Sequence, residues 1–131
     1  MLKAMVLSGL AAFLAYVINH WVVGRYGEKA IKFAVPLIEE ILKTGVALMF
    51  RGPLVIIHIG FGLYEAVYDL VANPQALPGE RLFAAFAALM GHGIFGGTTL
   101  LLVTLGLNPA LSAGLVGLVH GLWNNYVLRK E

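Results

Sequence analysis

Residues 82–105 read LFAAFAALMGHGIFGGTTLLLVTL and contain no Asp, Glu, Lys or Arg. A helix rises about 1.5 Å per residue and a bilayer core is about 30 Å thick. This stretch is therefore long and apolar enough to cross a membrane, with one histidine, His92, near its middle. Working outward, spans are expected near residues 4–23, 31–50, 53–73, 81–106 and 108–128. Pro53 suits the first turn of the third span. Asn108 and Pro109 form an N-cap and first-turn pair for the fifth. Asn73, Pro74, Gln75, Pro78 and Gly79 carry the turn chemistry of the longest loop. The expected fold class is all-α, a polytopic membrane bundle of about five transmembrane helices, forming one domain over 1–131.

Composition agrees. Of 131 residues, 60% are hydrophobic and 12% charged, and the mean hydropathy is +0.85. A water-soluble domain has about 25% charged residues. Disorder, nucleic-acid binding and ordinary soluble enzymology are excluded as classes. The net charge of +2 calls for no polyanionic partner. There is no cysteine, hence no disulfide, thiolate metal site or cysteine nucleophile. The first span is too long for a signal-peptide core and is expected to be retained.

Lys and Arg set an expected orientation. Lys3 and Arg51 fall on one side; Arg25, Lys29, Lys32, Arg81, Arg129 and Lys130 fall on the other. The richer side is expected in the cytoplasm, with the N-terminus outside and the C-terminus inside. Trp21, Tyr26 and Tyr126 lie near that edge, where interfacial aromatics belong.

Ionisable groups inside a membrane are costly and point to function. Glu39, Glu40 and Lys43 fall in the second span, Glu65 in the third, His92 in the fourth, and His120 and Asn124 in the fifth. Measured from the cytoplasmic ends, Glu39, Glu40, Glu65, His92 and His120 lie roughly 12–16 Å deep at about 1.5 Å per residue. Groups from four helices at one depth can share a site. Glu39 and Lys43 share a helix face, as do Phe61 and Glu65, and His120 and Asn124. Gly93 with Gly97, and Gly117 with Gly121, form small-xxx-small pairs that permit close helix approach. His58 and His20 are expected at interfaces and Asp69 at the membrane edge. The plainer account of the cluster is structural, with buried ion pairs and interhelical hydrogen bonds.

Imidazole and carboxylate are natural zinc ligands, and a catalytic zinc uses about three protein ligands plus water. Zinc lowers the pKa of that water toward neutrality. Two histidines and a glutamate meet the count and leave a second glutamate to take a proton. Such a set is competent for metal-assisted amide hydrolysis.

Taken in order, the motifs resemble a known family. Glu39-Glu40-x-x-Lys43 resembles the EExxK motif of PrsW-type intramembrane metalloproteases, and Phe61-x-x-x-Glu65 resembles their FxxxE motif. His92 and His120 resemble the later histidines. His120-Gly-Leu-Trp-Asn124 is similar to the HxxxN form of the related CAAX prenyl proteases. The resemblance covers residues 36–124. It implies a membrane-embedded zinc endopeptidase, with Glu39 or Glu40 as base and Lys43 compensating their charge. It also implies Glu65, His92 and His120 as metal ligands, and Asn124 at the oxyanion. The implied substrate is a membrane-associated peptide or protein within the lipid bilayer, with no nucleic acid. Family members usually carry more than five helices, so a homo-oligomer is expected. The alternative is a non-catalytic scaffold like the related gamma-secretase subunit, or a proton or ion pathway through the same cluster.

Overall fold

The computed structural model describes residues 1–27, 29–72 and 75–127. Asn73 and Pro74 of the expected turn lie outside the described residues. So do Leu128, Arg129 and Lys130 at the expected C-terminal end.

Five helices follow one another: α1 (Leu2–Tyr26), α2 (Lys29–Met49), α3 (Leu54–Ala72), α4 (Pro78–Thr104) and α5 (Pro109–Val127). No strand occurs among the described residues. The expected all-α membrane bundle is thus the observed architecture. α1, α3 and α4 are long and apolar enough to cross a membrane. α2 and α5 are less apolar because they carry Glu39, Glu40 and Lys43, and His120, Asn124 and Asn125.

Helix ends follow local chemistry. Gly27 closes α1 at φ 69°, its N–H donating to Val23 O at 2.8 Å. Only a residue without Cβ takes this left-handed conformation freely. Asn108 Oδ1 accepts from Ala110 N at 2.9 Å and so caps α5, as its position before Pro109 predicts. α4 begins earlier than expected. Pro78 and Gly79 belong to its first turn, because Glu80 Oε2 accepts from Leu77 N at 2.9 Å and fixes the start there.

The bundle is apolar outside and polar within. Phe13, Trp21, Phe83, Phe86, Leu101 and Leu118 are exposed. Glu40, Lys43, His58, His92, Thr99 and Ser112 are buried. Water would invert that distribution, so the exposed face is a lipid-facing one. A core of Leu7, Ala11, Ala15, Val46, Ala47, Leu54, Ile57 and Phe61 joins α1, α2 and α3.

Close approach at α5 depends on two glycines. A Cβ on Gly121 would stand 2.7 Å from Lys32 O, and one on Gly117 would stand 2.9 Å from Leu37 Cα. This pair packs on α2. In α4 the close contact is at Gly96 rather than at the expected Gly93 and Gly97. A Cβ on Gly96 would meet His58 Cβ at 2.6 Å, whereas Gly97 faces open space. The two helices carrying His92 and His120 are therefore each fastened to another helix, α4 to α3 and α5 to α2.

Candidate metal centre

Glu40 is fully buried and anchors the centre. Its Oε1 accepts from Lys43 Nζ at 2.6 Å and from His120 Nδ1 at 3.1 Å. Lys43 Nζ also lies 2.7 Å from His92 Nδ1. An ammonium only donates, so Nδ1 accepts and Nε2 carries the ring hydrogen. That Nε2–H donates to Glu65 Oε2. A chain of hydrogen bonds runs from Glu65 through His92, Lys43 and Glu40 to His120, joining α3, α4, α2 and α5.

Aromatic rings enclose the charged groups. Lys43 Nζ sits 4.6 Å from the centroid of the Phe61 ring, within reach of a cation–π attraction. Phe61 meets His92 edge-on at 5.1 Å, and Phe95 stacks on His120 at 4.6 Å. The two imidazoles are perpendicular, with centroids 5.2 Å apart. Sequence spacing suggested that they could meet, and they do.

One ligand atom from each of Glu39, His92 and His120 falls within 4.8 Å of the other two, and all three residues are buried. This group could hold a metal ion. His120 suits this use as it stands, whereas His92 would first have to give up Lys43 at Nδ1 or Glu65 at Nε2. His120 Nδ1–H is committed to Glu40, leaving Nε2 as a free lone pair, the arrangement usual for a metal-ligating histidine. Glu65 was expected among the ligands. It stands at the edge of the group, half exposed, bonded to His92 Nε2. Glu39, expected as a base, stands with the histidines.

Two cavities reach the centre from different sides. One, of about 420 Å³ between α1 and α3, is lined by Tyr16, Asn19, Phe61, Tyr64, Tyr68 and the carboxylates of Glu39 and Glu65. The other, of about 320 Å³, is lined by Glu65, Asp69, His92, His120, Trp123 and Asn124. Glu65 lines both, and Glu40 lines neither. Asn124 is half-buried beside His120, and Asp69, in the last turn of α3, is half-buried in the same cavity wall.

Sequence reasoning misplaced His58. It is fully buried, with Nδ1 3.4 Å from Glu40 Oε2 but not aligned for a hydrogen bond. The signal was present: His58, Phe61 and Glu65 follow helical spacing along one face. Asn19 was not singled out at all; its Nδ2 donates to Glu39 Oε1 at 2.9 Å. Its signal was a polar amide on the stripe that continues the buried Ala4, Ser8, Ala11 and Ala15 of α1.

No family, no curated protein and no solved structure matches this chain. The resemblance to intramembrane metalloproteases therefore rests on the sequence motifs alone.

Proposed function

We propose that the chain is a membrane-embedded, divalent-metal-dependent peptidase acting on a membrane-associated peptide or protein. The observation that carries this reading is the buried group of Glu39, His92 and His120, whose ligand atoms lie within 4.8 Å of one another. Those three residues would hold the ion, and zinc suits two imidazoles and a carboxylate. When bound, it would supply Lewis acidity toward a carbonyl and a lowered pKa for water.

The remaining roles follow from position. Glu65 faces both cavities, so it is the carboxylate that can take a proton from water, at Oε1, the oxygen not bonded to His92. Glu40, enclosed by Lys43, His120 and His58, orients His120 through its Nδ1 and has no access to water. Lys43 neutralises Glu40. Asn124, beside His120 in the second cavity, offers an amide donor to a substrate carbonyl oxygen. Phe61 covers the Lys43 ammonium, and Phe95 stacks on the His120 ring and fixes its plane. The Lys and Arg distribution supports a cytoplasmic C-terminus. The test is cleavage of transmembrane peptides in proteoliposomes. The reading expects cleavage that a chelator abolishes, zinc restores, and Glu65→Gln or Glu39→Gln removes. Cleavage indifferent to chelator and to both variants contradicts it.

The unbroken chain from Glu65 to His120 favours a second reading, a proton pathway without hydrolysis. Proton flux into vesicles, lost in Glu40→Gln and present without peptide cleavage, would select it.

A further inference from the structure

α1 carries none of the motifs, yet one of its side chains enters the centre. Ala4, Ser8, Ala11 and Ala15 form the stripe that α1 buries. Asn19 follows Ala15 by four residues, on the same stripe. Its Nδ2 donates to Glu39 Oε1 at 2.9 Å. Among the described residues, Asn19 is the one side-chain hydrogen-bond partner that Glu39 has. Lys43 bonds Glu40 and His92 instead.

The amide's orientation is dictated by chemistry. With Glu39 ionised, as a metal ligand must be, its oxygens only accept, so Nδ2 faces Glu39. Asn19 Oδ1 is then buried without a hydrogen-bond partner. Leaving a buried acceptor unsatisfied is costly, and packing alone gives no reason for an amide at this position. The amide therefore works against packing and for Glu39. A glutamate side chain has several free torsions, and a ligand needs its orientation fixed by a neighbour.

We propose that Asn19 is a positioning residue for Glu39. It holds the carboxylate toward His92 and His120 and so sets the affinity of the centre for a divalent ion. This rests on the reading that these three residues share one ion. It also gives α1, which the motifs leave out, a defined part in the site.

The test is Co2+ binding to the purified full chain in detergent, followed by titration and by the visible absorption of the bound ion. Asn19→Leu is expected to weaken Co2+ binding 10–100-fold, about the loss seen when an outer-shell partner is removed, and to change the absorption band. Asn19→Gln keeps the donor and is expected to recover part of the affinity. If Asn19→Leu does not fold, Asn19→Ala replaces it. Wild-type affinity and spectrum in the Leu or Ala variant overturn the role of Asn19 while leaving the centre intact. Equal losses in the Gln and Leu variants also overturn it, in favour of packing alone. A wild-type chain that binds no Co2+ overturns the metal reading itself and this proposal with it.

Discussion

Lys43 Nζ stands 2.7 Å from His92 Nδ1, and that hydrogen bond is incompatible with a metal on the same imidazole. A metal on Nδ1 would displace the ammonium directly. A metal on Nε2 would leave the hydrogen of a neutral ring on Nδ1, facing a group that can only donate. Metal-free protein is therefore expected to hold His92 as the Nε2–H tautomer. Saturating zinc is expected to break the Lys43 contact. Imidazole 15N spectra check both: one tautomer before zinc, and a shifted His92 pair after it. A His92 signal unmoved by zinc counts against the arrangement.

Glu39 and Glu40 are adjacent in sequence and different in kind. Glu40 is fully buried against Lys43. Glu40→Ala would leave a buried ammonium uncompensated, and is expected to cost about 3–5 kcal/mol of stability. Glu39→Gln keeps an oxygen for Asn19 and is expected to cost less than about 1 kcal/mol, yet to abolish metal binding. Unfolding in detergent beside a metal assay separates the two. Equal destabilisation by both variants would contradict the division.

The α2–α5 contact is tight enough to measure. Gly121→Ala would drive a methyl into Lys32 O, which the added Cβ would approach to 2.7 Å. It is expected to cost about 1–3 kcal/mol and to weaken metal binding, because α5 carries His120. Gly97→Ala meets open space and is expected to change stability by less than about 0.5 kcal/mol. Thermal unfolding of the pair checks this.

Asn124 gives a prediction about turnover. If its amide serves the carbonyl oxygen, Asn124→Ala should lower kcat about 100-fold and leave zinc affinity unchanged. Steady-state cleavage of a transmembrane peptide beside a zinc titration is the check. A loss of zinc affinity would place Asn124 with the metal instead.

Much of this was legible in the residues. The uncharged run around His92, and Pro53, Asn108 and Pro109 at helix starts, specify a helical membrane bundle through length and capping alone. Glu39, Glu40, Lys43, Glu65, His92 and His120 were visible because ionisable groups are conspicuous in apolar helices. Their partners were not. Which carboxylate joins the two imidazoles depends on helix rotation, and Glu39 and Glu40 point about 100° apart on an α-helix. His58 was misplaced because depth along a helix says nothing about which way a ring faces. Asn19 escaped notice because a lone amide belongs to no motif. Gly96 outranked Gly93 and Gly97 because helix α4 meets α3 through the face that carries His92, which only packing decides.

The most direct test is zinc stoichiometry of the purified protein, wild type beside the His92→Ala, His120→Ala double variant. The predicted result is about one zinc per chain in the wild type and none in a double variant that remains helical. Wild-type protein that takes up no zinc after reconstitution, or a double variant that still binds it, would contradict the account.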